Sequence, residues 1–400
     1  MTSKVVQLGD VADMLSGFAF KSQQFLDASE EGIKLVRGDN VQQGFIRWGD
    51  KAKKWRSDAY SDFQKYQLEF NDVILAMDRP IVGGGLKLAW IKEQDLPSLL
   101  VQRVTRIRGK SRYVLTNYLR YVLSSPDFVA HVDKITTGAN IPHISGKDIA
   151  RFEFKLPSLS EQESIIDLIG RYDELIETNQ RRIALLEESA RLLYREWFVN
   201  LRFPGHESVK WIDGLPEDWM KMELSSLANI EMGQSPESKY YNTEGEGLPF
   251  HQGVSDFGEY FVTHRVYTTV ATRRAKAGDI LCSVRAPVGR LNLTHDDIAI
   301  GRGLAAIRSL TNQQALLFFQ LKTLFIKEDM IGGGTIFSSV GKKELFSQKI
   351  LQPNTAIASE FEQFASAALS QVEVLTMQNR LLIEARNDLL PKLISGAIQV

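Results

Sequence analysis

The chain has 400 residues, 44% hydrophobic and 24% charged, a globular balance that excludes wholesale disorder at a length too great for one core. Cys282 is the single cysteine, which excludes an intramolecular disulfide and a cysteine-rich zinc site. With 48 basic and 49 acidic residues the net charge is −1, which taken whole argues against a nucleic-acid binder.

The local balance is less even. Residues 1–157 hold 23 Lys/Arg against 18 Asp/Glu, while 158–200 hold 5 against 9. Residues 201–216 balance at 2 and 2, residues 217–353 at 15 and 15, and 354–400 hold 3 against 5. Neutral-to-basic blocks thus alternate with acidic ones. No apolar run reaches the roughly 18–20 residues needed to span a bilayer. The closest, 315–326, carries Gln320 and Lys322, and the first residues show no apolar signal-peptide segment. The expectation is a cytoplasmic chain with no membrane partner.

In chain order, the sequence predicts a first mixed α/β globule over 1–157, with a buried strand at 73–77 after the Asn71-Asp72 turn and a helix over 116–123. A long helix over 158–200 follows. Its seam runs Ile165, Ile169, Tyr172, Ile176, Asn179, Ile183, Leu186, Ala190, Leu193 and Trp197, in steps alternating 4 and 3. Residues 201–216, with Phe203-Pro204-Gly205 and Asp213-Gly214, read as a linker. A second globule spans 217–353, with a strand at 280–284 and a helix over 313–325. A second long helix covers 354–400, with Phe361, Ala365, Ala368, Val372, Leu375, Asn379, Leu382, Arg386, Leu389 and Leu393 in the same phase. Pro391 is expected to end or kink it. Each helix either covers its own globule or pairs with the other as a coiled coil, in which Asn179 and Asn379 set register. A helix of some 35–40 residues is on the order of 55–60 Å long.

The chain is written twice. Gly138, Ile144, Asp148 and Pro157 match Gly334, Val340, Glu344 and Pro353 at an offset of 196. Asp72 and Pro80 match Asp279 and Pro287; Leu8, Val11, Ala12 and Gly17 match Leu224, Leu227, Ala228 and Gly233. Between these landmarks the residues differ.

Catalytic motifs are absent from the sequence. Gly146-Lys147 and Gly341-Lys342 lack the rest of a phosphate-binding loop, and Gly301-Arg302-Gly303 lacks the helix a dinucleotide fingerprint needs. The six histidines have no metalloprotease spacing, so neither a metal site nor a catalytic residue is expected. Asp72 and Asp279 read as turn caps. What remains suits a polyanion. Lys51, Lys53, Lys54, Trp55 and Arg56 interleave cations with an indole, fit either for phosphates and base stacking or for a solvated loop around a half-buried tryptophan. Arg79, Lys87, Arg103, Arg106 and Arg108 in the first block and Arg273, Arg274, Arg285, Arg290 and Arg302 in the second stand at equivalent stages of the repeat, as phosphate contacts or as strand-end ion pairs. The loops at 137–140 and 332–335 are either tight turns or close approaches to a phosphate. Asn140, His143, Lys147, Thr335, Ser338, Lys342 and Lys343 complete the candidate DNA-binding set.

Two variable blocks, each ending in Ile144-Ser145-Gly146-Lys147-Asp148-Ile149…Pro157 or its second copy through Pro353 and followed by a heptad helix, resemble the specificity subunit of type I restriction–modification systems. Ser158 to Gln162 and the tail 389–396 extend the resemblance over essentially the whole chain, although Asn354 to Ile357 and Arg386 depart from it. The resemblance implies an α+β fold with two target-recognition domains and an antiparallel pair of helices. It also implies a non-catalytic chain that reads the two halves of an asymmetric, split double-stranded DNA target. The expected partners are two methyltransferase subunits, with S-adenosylmethionine, and two motor–nuclease subunits, with ATP and magnesium. The rival readings are a protein scaffold with two interaction domains and a nuclease or methyltransferase acting alone.

Overall fold

The computed structural model describes residues 4–83, 85–137, 142–331 and 340–400, with side chains outside 326–331. The chain forms two compact units, Met1–Ile176 with Arg380–Val400, and Glu177–Asn379. In the first, Val73–Ala76 is buried at every position because sheet and helix cover both its faces. It lies in an antiparallel sheet of order Ala12–Ser16, Val104–Gly109, Val73–Ala76, Leu88–Trp90. Thr116–Leu123 is helical as predicted and packs Tyr118, Leu119 and Val122 into the core under this sheet. A second sheet orders Lys54–Trp55, Ile33–Val36 and Ser98–Leu100, the last pair parallel.

The other unit repeats the plan. Its antiparallel sheet runs Ala228–Met232, Leu304–Ser309, Ile280–Ser283, Leu291–Leu293. The helix expected at 313–325 is Gln314–Ile331. A five-stranded sheet of order Tyr241–Asn242, Tyr267–Thr268, Leu248–His251, Ile298–Ile300, Arg274–Ala275 completes it.

The sequence landmarks turn out to be packing devices. Leu8 N donates to Phe152 O and Leu224 N to Gln348 O, each at 2.8 Å, tying the start of a globule to its last strand. Ile144 N donates to Met77 O and Val340 N to Val284 O, pinning the segment before each short helix to the end of a central strand. Ser145 caps Gly146–Ala150 through Asp148 N, and in the second copy Glu344 Oε2 accepts from Gly341 N at 2.8 Å at the start of Lys342–Phe346. A Cβ on Gly17 or Gly233 would lie 2.2 Å from the carbonyl oxygen of Val101 or Gly301, so only glycine admits that close approach.

Residues 201–216 fold onto the second unit. Phe203 stacks on Trp219 with centroids 4.6 Å apart, and Asp213 and Gly214, at φ 48° and 78°, turn the hairpin Trp211–Ile212 to Leu215–Pro216.

The long helices are Leu159–Tyr194, continued by a π-helical turn Arg195–Val199, and Thr355–Ile394. They pair antiparallel. In the second unit Asn179 Nδ2 donates to Asn379 Oδ1 at 3.0 Å, while Tyr194 meets Phe361 with ring centroids 5.9 Å apart. In the first, Ile165 and Ile169 share a core with Leu390 and Leu393. Arg386, a cation inside the seam, donates from Nη1 to Asp173 Oδ1 at 2.9 Å, and Asp173 also receives Tyr121 Oη and Arg120 Nη2. Of the predicted seam, Ile176, Ile183, Val372 and Leu375 are also buried, whereas Tyr172, Leu186, Leu193, Leu382 and Leu389 are half-buried at its flanks. Beyond Ala190 the buried positions are Tyr194 and Phe198 rather than Leu193 and Trp197. A straight α-helix drifts from a strict 3.5-residue repeat, and the π turn adds to the shift. Pro391 does not stop the second helix at once. It runs to Ile394, because the carbonyl left without a donor lies on exposed Asn387 near the end.

Gln162 and Glu362 do the same task in the two units. Gln162 Oε1 accepts from Leu115 N at 2.9 Å, and Glu362 accepts from Ala315 N and Leu316 N at 3.0 and 2.9 Å. Each long helix thereby satisfies free N–H groups at the start of its globule's packed helix.

Candidate nucleic-acid interface

Where the central strands of the first unit end, a cleft of about 720 Å³ opens. Arg37, Arg47, Arg79, Lys87 and Arg103 line it, with Asp39 and Asp78 as its carboxylates among the described residues and Gln42, Gln43 and Gln102 as neutral donors and acceptors. Five cations against two anions suit a phosphate backbone, and the glutamines have the groups that read base edges. Asp78 organises the site. Its Oδ2 accepts from Arg103 Nη1 and its Oδ1 faces His143 Nδ1, both at 2.6 Å. Burial alone would raise its carboxyl, yet the hydrogen bonds from Arg103 and His143 outweigh that and hold it below the ordinary value. Burial pushes the Lys87 ammonium down, against the opposing pull of Asp39 and Asp78, and its Nζ donates to Gly38 O. Arg79 and Arg103 both sit at positive φ, 46° and 64°, held by Arg79 N to Pro142 O and Met77 N to Arg103 O. Such backbone is uncommon outside glycine and clusters at functional sites.

The second unit builds the same strand end from different residues. Val284 N donates to Gly303 O as Met77 N does to Arg103 O, and Ser283 N to Arg290 O as Ala76 N does to Lys87 O. Arg290 therefore stands where Lys87 stands, and Arg302 precedes the counterpart of Arg103. Arg285 replaces Asp78, reversing its charge. Arg274, Arg285, Arg290 and Arg302 are exposed and have no ion-pair partner among the described residues. Arg273 is exposed and pairs with Glu231 at 2.7 Å.

Other predicted residues lie elsewhere. Trp55 is buried among Phe20, Phe25 and Phe63, with centroids 4.8 to 6.3 Å away, so its indole is core and offers no stacking face. Lys53 pairs with Asp27, Lys54 Nζ donates to Glu30 O, and Arg56 lies 3.3 Å from Asp58; with exposed Lys51, none lines the cleft. Arg106 is half-buried on Val104–Gly109, where burial and then Arg108 disfavour its charge. Arg108 is bound to Asp72 and Glu69. Lys147, Lys342 and Lys343 are exposed on the two short capped helices. Asn140, Thr335 and Ser338, and the glycine loops that carry them, lie outside the described residues.

The sequence reading missed Arg37, Arg47, Gln42, Gln43 and Gln102. For Arg37, Gln42 and Gln43 the signal is a polar turn at 37–44, in which Asn40 Oδ1 accepts from Arg37 N at 2.8 Å, but turns have no period that marks an inward side; Arg47 and Gln102 lie outside it. It also missed the histidines of the second unit: His264, His295 and Asp296 place ligand-type atoms within 4.8 Å of one another. No helix among the described residues is long and apolar enough to cross a membrane.

Comparison with known proteins gives this doubled plan a family. A model of the type I restriction modification DNA specificity domain matches residues 2–188 and again 216–376. A Methanocaldococcus jannaschii protein provisionally named the type I restriction enzyme MjaX specificity subunit is 31% identical over 309 residues, covering 76% of this chain and 72% of that protein. The EcoAI specificity subunit of Escherichia coli is 37% identical over 172 residues, 43% of this chain and 28% of its own. The crystal structure of the type I S subunit from M. genitalium has the same fold, with TM-score 0.66, 15% identity and coverage of 98% and 99%. With the domain matched twice and a relative 31% identical over most of both chains, the chain belongs to the specificity subunits of type I restriction–modification systems.

Proposed function

We propose that this chain is the non-catalytic DNA-reading subunit of its complex, each unit recognising one half of an asymmetric, split double-stranded target. The observation that carries this reading is the recurrence of exposed or cleft-lining cations at one strand end in both units: Arg79, Lys87 and Arg103 in one, Arg285, Arg290 and Arg302 in the other. Opposite charges at Asp78 and Arg285 give the two sites different chemistry, which is the basis for two unlike half-sites. Arg and Lys hold phosphates and set register, while Gln42, Gln43 and Gln102, or Gln252 beside Ser235, read base edges.

The paired helices serve as the spacer that sets the unread gap. They also carry exposed apolar residues, Leu175, Leu185, Val374, Met377 and Leu381, beside acidic ones, a surface suited to protein partners. Two methyltransferase subunits dock there, and two motor–nuclease subunits join them. S-adenosylmethionine, ATP and magnesium act on those subunits, and base flipping and methyl transfer take place in them.

The test mixes the chain with its methyltransferase subunit and selects bound duplexes from a random library at moderate salt. Two short, unlike motifs at one fixed spacing are expected. A well-formed complex that selects no motif would instead favour a protein scaffold.

A further inference from the structure

No pair of the six histidines has metal-ligand spacing in sequence, yet the second unit folds three of them onto one spot. His251 ends the strand Leu248–His251. A bridge between Phe261 and Leu293 brings the chain that follows, with His264, beside the turn linking Leu291–Leu293 to Ile298–Ile300. That turn carries His295 and Asp296. His264 Nε2 lies 3.0 Å and His295 Nε2 3.4 Å from the same carboxylate oxygen, Asp296 Oδ2. Tetrahedral zinc, with bonds of about 2.0–2.1 Å to nitrogen and oxygen, holds its ligands roughly 3.3 Å apart. The two separations from the carboxylate are already close to that value, and all three ligand atoms lie within 4.8 Å of one another.

We propose that His264, His295 and Asp296 bind one divalent transition-metal ion of the zinc class, with water in the fourth position. The mixed nitrogen and oxygen donor set suits such an ion, and Asp296, with a side chain 54% exposed, gives it a path from solvent. A second layer supports the site. His251 is fully buried, and its Nε2 lies 2.9 Å from His264 Nδ1. With its Nε2 as the acceptor, His251 takes the Nδ1–H of His264. That bond fixes the tautomer and leaves the His264 Nε2 lone pair for the ion, as outer partners of ligating histidines do. His251 then holds its own proton on Nδ1, an atom with no hydrogen-bond partner among the described residues, 3.8 Å from Asp256 Oδ2. The ion would clip the chain after Phe261 to the turn before Ile298–Ile300, the strand that pairs with Arg274–Ala275.

The test uses the untagged full chain, stripped with chelator and titrated with Zn²⁺ by calorimetry and with Co²⁺ by visible absorption. One ion per chain is expected, with the intense Co²⁺ bands of a four-coordinate site. H264A and D296N should each weaken Zn²⁺ binding by about 100-fold or more, and H251Q by roughly 10–100-fold. H206A, at a histidine remote from the cluster in sequence, should leave binding unchanged. D296N alters an exposed side chain, so an unchanged melting temperature of its metal-free form assigns the lost binding to the site and not to the fold. Absence of saturable uptake, or uptake equal to wild type in both H264A and D296N, would show the cluster to be an ordinary hydrogen-bond network and overturn the proposal.

Discussion

Asp72 and Asp279 show how far single residues are legible. Each was expected to cap a turn, and each does: Asp72 Oδ2 accepts from Glu69 N at 2.8 Å and Asp279 Oδ2 from Lys276 N at 2.7 Å. Their other oxygens bind Arg108 Nε and Arg308 Nε, both at 2.6 Å, across strands far away in sequence. That pairing takes Arg108 out of the set of free cations. Because Asp72 is 1% exposed, R108A should leave a buried carboxylate short of a partner and destabilise the first unit by about 2–4 kcal/mol, read by urea denaturation. Arg79 is the contrasting case, an exposed cation lining the cleft with no ion pair among the described residues. R79A should lower the slope of log affinity against log salt by about 1 and weaken all duplexes alike. A change confined to one sequence would make Arg79 a base reader instead.

At the scale of elements, the long helices were legible from period alone, since a seam sustained over many turns has few alternative explanations. Their ends were not, because Tyr194 and Phe198 choose their partners, Phe361 and Trp219, from outside the helix. Nor was the clamp by Gln162 and Glu362, although both sit just inside the helix start. Burial raises the Glu362 carboxyl above its ordinary value, against the pull of the N–H groups it caps. A raised carboxylate contributes stability below its unfolded value that is lost as pH rises through the folded one. Wild-type stability should therefore decline from about pH 4.5 upward through this group, and E362Q, which installs the first unit's residue, should flatten that decline. A loss of more than about 1 kcal/mol in E362Q at pH 7 would show that the capping bonds outweigh burial.

For the whole molecule, the repeat is the governing fact. Among the described residues, the landmarks Ile144 and Val340, and Asp148 and Glu344, proved to be packing or capping contacts, while the variable stretches between landmarks supply the cleft and its counterpart. Exchanging residues 1–157 for those of another family member should consequently change one half-site and leave the other, as read by sequencing of selected duplexes. A change in both halves would contradict the modular reading. The basic run at 51–56 lies apart from the cleft on this scale. Its composition suits nucleic acid, but Phe20, Phe25 and Phe63 draw Trp55 into the core, and nearby acids and a carbonyl occupy Lys53, Lys54 and Arg56.

The sequence by itself determined the duplication, the mixed globules, the two heptad helices and the polar pair Asn179 and Asn379, because hydrophobic period and repeated landmarks are local properties of the chain. Only the tertiary structure decided which cations share a cleft, which are consumed by carboxylates, and that His264, His295 and Asp296 meet. Those outcomes depend on strands distant in sequence arriving side by side, and no spacing along one segment encodes that encounter.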